Sequence, residues 1–271
     1  MTQGALSIDG LSVHFGGLQA LRGVSAEITP GSVHGLLGPN GSGKTTLLNA
    51  VCGFVRSTGR VCLDGVSLTR APAYVRARSG LLRTFQSPKL VPDLTVEELL
   101  RVGEHPRGFR PWWLVTALPL RDSRARKSGQ QRALATLDLL GLDGSLLAVP
   151  IRDLSQGVLK MVDIARALMA DPKVLLLDEP SSGMSEAEIA RLRGHILELA
   201  RRGTTLLLVE HNLPLVRAVC DRVTVLNLGE QLTSGPTADV LTRPEVVEAF
   251  LGVGADGSVP NAVQEQPGGG P

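Results

Sequence analysis

The sequence predicts an α/β protein built on a largely parallel sheet, and three observations predict it. A strand, a glycine-rich loop and a helix follow one another over residues 32–54. Two continuous aliphatic runs, 174–177 and 205–209, flank a helical stretch over 186–201, as in a strand-helix-strand crossover whose strands are buried on both faces. Between Ser87 and Ala170 extended apolar strands disappear and helical periodicity dominates, which reads as a helical lobe inserted into the core.

Taken in order, the elements begin with short strands at 6–15, 24–28, 32–37 and 60–63, separated by turn residues. Pro30-Gly31 marks a tight turn ahead of the strand that delivers Gly38. Residues 45–54 have the length and composition of a helix. The lobe carries helical patterns over 95–102, 121–140 and 158–170, and a further strand follows at 222–226. Residues 253–271 are Gly, Pro and small polar residues without periodicity, the composition of a disordered tail. No internal repeat is present. The expected organisation is one domain over 1–252, with core segments 1–86 and 166–252 and a helical lobe over 87–165.

Composition sets bounds on partners. At 271 residues and 43% hydrophobic content a sizeable core is assured, and with 3% aromatics it must be packed mainly by Leu, Val and Ala. A net charge of +2 is too balanced for a generic nucleic-acid binder, and no nucleic-acid partner is expected. Cys52, Cys62 and Cys220 show no metal-like spacing and read as small buried hydrophobes in a reduced, cytosolic setting. Residues 1–10 lack a basic start followed by an apolar run, so no signal peptide is expected. The notably apolar stretch 111–120 is about half the ~20 residues that span a bilayer. Any membrane role is expected to come through a partner.

Gly38-Pro39-Asn40-Gly41-Ser42-Gly43-Lys44-Thr45 fits G-x-x-x-x-G-K-[ST] at every position. Its glycines let backbone N–H groups point at phosphate oxygens. Lys44 adds a point charge at the β/γ-phosphates, and the Thr45 hydroxyl can ligate Mg²⁺. Leu154-Ser155-Gln156-Gly157 opens a helix whose N-terminal N–H groups form a second anion site. Two anion sites and one set of hydrolytic residues suggest that each molecule completes another's site. Asp178 ends a buried strand and can hold Mg²⁺ directly or through water. Glu179, one residue on, can polarise an attacking water or serve as a paired structural carboxylate. His211 follows another aliphatic strand, where a histidine can bond a γ-phosphate oxygen, hold the water or simply satisfy its surroundings. Gln86, in Arg83-Thr84-Phe85-Gln86, can touch Mg²⁺ or water where core gives way to lobe. Phe15, ahead of Gly16-Gly17, can stack on adenine or pack as a strand-end aromatic.

Together these residues resemble the ATP-binding subunits of ABC transporters, over residues 6–252. The resemblance implies a RecA-like P-loop NTPase core with an antiparallel β subdomain and an inserted α-helical subdomain. It implies two subunits, not necessarily identical, meeting head to tail around two ATP molecules and Mg²⁺. Ser155 and Gly157 would contact the γ-phosphate held by the partner's loop. Glu179 would be the catalytic base, His211 the switch histidine, Gln86 the Q-loop glutamine and Phe15 the adenine stacker, with Thr46 beside Thr45 among the nucleotide contacts. Arg83-Thr84-Phe85-Gln86, Val209-Glu210-His211-Asn212-Leu213 and Val246-Val247-Glu248-Ala249-Phe250-Leu251-Gly252 are similar to the importers of branched-chain and other hydrophobic amino acids, as is the extended lobe with Trp112-Trp113. Relatives carrying urea or short amides are similar too, and the alternatives that share the core are lipid or lipopolysaccharide exporters and non-transport ATPases acting on ribosomes or DNA. Implied partners are transmembrane permease subunits and, indirectly, an extracytoplasmic solute-binding protein, with the chain peripheral on the cytoplasmic face of the membrane.

Two departures stand out. The family's Leu-Ser-Gly-Gly-Gln becomes Leu154-Ser155-Gln156-Gly157-Val158, and its Gly-Leu-Asp becomes Gly183-Met184-Ser185. The first removes an amide near the turn and the second a charge at the expected dimer seam, so a weakened composite site is expected. Residues 107–127 hold six basic residues and one acidic around Trp112-Trp113, either a solvated face or an edge near anionic headgroups.

Overall fold

The computed structural model describes residues 5–84, 93–104 and 122–251. The chain opens with a hairpin, β1 (Leu6–Phe15) and β2 (Leu18–Ile28), then enters β3 (Val33–Leu37), the glycine loop and α1 (Lys44–Cys52). β4 (Thr58–Leu63) and β5 (Val66–Ser67) join the hairpin in an antiparallel sheet of order β2-β1-β4-β5. A short helix, α2 (Ala73–Arg78), and strand β6 (Leu81–Arg83) lead into helical elements: α3 (Val96–Gly103), α4 (Asp122–Leu139) and α5 (Gln156–Leu168). The chain then alternates as β7 (Val174–Asp178), α6 (Glu186–Arg201), β8 (Thr205–Val209), α7 (Leu213–Val219) and β9 (Arg222–Asn227). It finishes with β10 (Glu230–Pro236), α8 (Thr237–Val240) and α9 (Pro244–Leu251).

The second sheet runs β10-β9-β3-β8-β7-β6, parallel throughout except for the antiparallel edge strand β10. β3, β7 and β8 are buried at every position, which explains their unbroken aliphatic sequence. Successive side chains of β7 serve different cores. Leu175 and Leu177 face the helical side with Leu206 and Leu208, while Val174 and Leu176 pack with α1 and the antiparallel sheet. Each fully buried leucine contributes about 1.5–3 kcal/mol. In β1 the inward set changes from Leu6 and Ile8 to Leu11 and Val13 across a bulge, so both halves of the strand stay buried.

Helix starts follow side-chain caps. Thr95 and Glu98 form a reciprocal capping box on α3, and Ser185 with Glu188 does the same on α6. The helix expected over 158–170 begins two residues earlier, because Ser155 is its N-cap. β2 starts at Leu18 rather than 24, and β6, only three residues long, carries too little pattern to be read from sequence. The expected tail, 253–271, lies outside the described residues. No described helix is long and apolar enough to cross a membrane. Cys52 and Cys220 are buried as expected, and Cys62 is half-buried.

Two buried cation-forming residues set local stability. Arg76 is 3% exposed, and its guanidinium donates to Ala50 O (2.8 Å), Val51 O (2.6 Å), Thr69 O (3.0 Å) and Ala71 O (2.9 Å), closing the C-terminal end of α1. His34 on β3 bonds Thr224 Oγ1 at 2.9 Å through Nε2, and Thr224 bonds Ser234 Oγ at 3.0 Å, linking three neighbouring strands. Burial, reinforced by the Arg222 charge, lowers the His34 pKa to about 4.

Two outcomes follow. His34 is neutral in the fold and takes up a proton more readily unfolded. Its contribution is therefore present above the unfolded value near 6.5 and is lost as pH falls toward 4. Unfolding in guanidinium should lose about 2 kcal/mol from this group between pH 7 and pH 5, a loss that His34→Gln removes. Arg76→Met, which leaves several buried carbonyls without a donor, should cost about 2–4 kcal/mol in the same assay.

Candidate nucleotide site

The glycine loop leaves β3 at Gly38, whose φ of 146° is open to glycine; a Cβ there would lie 2.2 Å from Leu226 O. The loop wraps toward the N-terminus of α1, and Lys44 at that terminus is 6% exposed. Its Nζ donates to Gly38 O at 2.9 Å and Pro39 O at 2.8 Å. Burial lowers the Lys44 pKa, with the Glu179 and Asp178 charges opposing. Ser42 Oγ is buried and has no hydrogen-bond partner among the described residues. The loop faces an open cavity of about 530 Å³, lined by Asn40, Gly41, Gly43, Lys44, Thr45, Thr46 and Glu179 on its polar side. Leu18, Ala20 and Leu228 form its apolar wall.

β7 ends in one carboxylate, Asp178, and is followed directly by a second, Glu179, which lines this cavity. Asp178, 3% exposed, accepts from Arg83 Nη2 at 2.6 Å, and Arg83 Nη1 reaches Asn49 Oδ1 of α1 at 2.6 Å. Glu179 has a φ of 47°, a left-handed conformation uncommon for a residue other than Gly, Asn or Asp. Its N–H donates to Val209 O of β8 at 2.9 Å, and its Oε1 lies 3.0 Å from His211 Nε2. Glu210, 2% exposed, accepts from the backbone N–H groups of Ser181 (2.8 Å), His211 (3.1 Å) and Asn212 (3.3 Å). The Glu179–His211 pair is thus held from both strand ends.

Ser155 and Gly157 do not line the cavity. Ser155 Oγ caps α5 by accepting from Val158 N at 3.4 Å. Gly157 sits against α6, where a Cβ would come 2.3 Å from Glu188 Oε1. Val158 and Met184 pack, partly buried, on the helical-side core. Ser185 Oγ accepts from Glu188 N at 3.4 Å and donates to Glu188 Oε2 at 2.7 Å. Phe15 is half-exposed at the end of β1, paired with Leu18, and is not among the lining residues. Gln86 and Trp112-Trp113 lie outside the described residues. The structure adds Arg83, Asn49, Glu210 and Lys160, the last of which donates to Glu179 O at 3.0 Å. Only Arg83 and Glu210 carried a signal beforehand, by lying inside motifs singled out for their neighbours.

The profile of the ABC transporter family matches residues 21–182. The Escherichia coli K12 high-affinity branched-chain amino acid transport ATP-binding protein LivG is 36% identical over 256 residues, covering 93% of this chain and 99% of LivG. BraF of Pseudomonas aeruginosa, a high-affinity branched-chain amino acid transport ATP-binding protein, is 32% identical over 93% of this chain and 99% of its own. The ADP conformation of MJ1267, an ATP-binding cassette of an ABC transporter, superposes with a TM-score of 0.78 at 32% identity, over 92% of this chain and 98% of that one. On this geometry and this likeness, the chain belongs to the ABC transporter family and is one of its ATPases.

Proposed function

We propose that this chain is the ATP-hydrolysing subunit of an importer of branched-chain amino acids. The observation that carries the reading is the Glu179–His211 pair, 3.0 Å apart, with Glu179 on the wall of the phosphate-loop cavity. The solute class rests on the full-length likeness to LivG and BraF.

The loop fits a polyphosphate: it turns at Gly38, where a Cβ would collide with Leu226 O, and the buried Ser42 hydroxyl has no hydrogen-bond partner among the described residues. Lys44, carried by loop carbonyls, would exchange them for β/γ-phosphate oxygens. Glu179 would take the proton of the attacking water, and His211 would hold the carboxylate and that water in line. Leu18 and the exposed Phe15 would offer apolar surface to the adenine. The hard oxygen donors of Thr45 and Asp178, with the Gln86 amide, suit Mg²⁺, and no cluster of three or more His, Cys, Asp or Glu among the described residues offers a rival metal site. Bound there, Mg²⁺ would neutralise phosphate charge. Arg83, 2.6 Å from Asp178 Oδ2, fixes the direction of that carboxylate.

Ser155 and Gly157, away from the chain's own cavity, would serve the nucleotide of a second cassette in a head-to-tail dimer. Membrane subunits and an extracytoplasmic solute-binding protein would complete the complex, with this chain on the cytoplasmic face. The complex purified from its native membrane and reconstituted in proteoliposomes should accumulate leucine or valine when ATP is supplied. Accumulation of urea or a short amide without leucine would overturn the solute class, and stable copurification with ribosomes without membrane subunits would overturn transport itself.

A further inference from the structure

We propose that Lys160 is a positioning residue that fixes the backbone of Glu179, tying the helix that bears the Ser155–Gly157 turn to the hydrolytic carboxylate of the chain's own site. Lys160 lies in the second turn of α5. Its Nζ crosses to the loop after β7, donating to Glu179 O at 3.0 Å and also to Ser182 O. Ser182 N in turn donates to Glu179 O at 3.3 Å, so the Lys160 ammonium closes a turn that starts at the carboxylate-bearing residue.

The location matters because Glu179 is strained. A glutamate at φ 47° persists only where its surroundings hold it. Its N–H is held by Val209 O, on the sheet side. Its carbonyl is held by Lys160, on the side of α5. Relaxing this residue toward an ordinary conformation would swing its side chain away from His211, since the carboxylate direction is set by the backbone at the same Cα. The ammonium is half-buried, and burial lowers its pKa while the charges of Glu210, Glu179 and Asp178 oppose that shift. One helix therefore touches two sites: its N-terminal turn carries the exposed Ser155 cap with Gly157 packed against α6, and its second turn grips Glu179. A displacement of α5 by a nucleotide on its first turn reaches Glu179 through a single side chain.

This inference rests on the reading of Glu179 as the base. The test uses the full-length chain with Lys160→Met, which keeps the stem and removes the donors, and Lys160→Arg, which keeps a cation. Binding of a fluorescent ATP analogue, KM and single-turnover hydrolysis are measured for each, alone and combined with Glu179→Gln. Lys160→Met should leave nucleotide affinity and KM within about twofold and lower kcat about tenfold or more, with Lys160→Arg recovering most of the loss. In the Glu179→Gln background the same change should lower the residual rate by less than about twofold, because the carboxylate it positions is already gone. An unchanged kcat in Lys160→Met, an equal loss in both backgrounds, or a loss of nucleotide binding that Lys160→Arg does not recover would each overturn the proposal. If instead Glu179→Gln alone keeps its turnover, the base assignment fails, and that outcome is separate from the three.

Discussion

The left-handed backbone at Glu179 is the constraint on which the rest of the site depends. In a regular strand, neighbouring side chains point to opposite faces, and both faces of β7 are filled with leucine. Continuing the strand by one residue would bury the second carboxylate. The turn to φ 47° lifts Glu179 out of the sheet at the point where Asp178 stays in it. Two adjacent carboxylates thereby acquire separate environments: one buried against Arg83, the other at the cavity beside His211.

Such an arrangement is costly in isolation, and its surroundings offset the cost by named contacts. A buried ion pair is favourable only when its remaining donors and acceptors are satisfied. Arg83 bridges Asp178 and Asn49, which couples the strand end to the phosphate-loop helix. Arg76 closes the far end of the same helix. α1 is therefore tied at its start by the loop and at its end by a buried guanidinium, and the loop it carries has a fixed direction. Glu210 performs the comparable service for the β8 end, gathering three backbone N–H groups so that His211 meets Glu179.

Legibility in the sequence followed distance along the chain. The phosphate loop is eight consecutive residues with its glycines, lysine and threonine at fixed positions for one local shape, so it could be read directly. The crossover between β7 and β8 was readable because burial on both faces forces unbroken aliphatic runs. Arg83 and Asp178 are 95 positions apart, and no local pattern announces that pair. Lys160 looks in sequence like any polar residue on a helix, because its partners are backbone carbonyls that have no residue identity. Val158 and Ser185 depart from the family pattern; in the fold one packs on the helical-side core and the other caps α6. Antiparallel strands β2 and β10 blurred for the opposite reason: half-exposed faces admit polar residues that mimic loops.

The account stands on Glu179 as the group that activates water at this mouth. Single-turnover hydrolysis of ATP by the full chain carrying Glu179→Gln, with nucleotide binding measured on the same sample, tests that claim most directly. Replacing the carboxylate by an isosteric amide keeps the fold and removes the base, so turnover should fall by about 10²–10³ while affinity for ATP stays within a few-fold. Turnover near that of the unaltered chain would contradict the account.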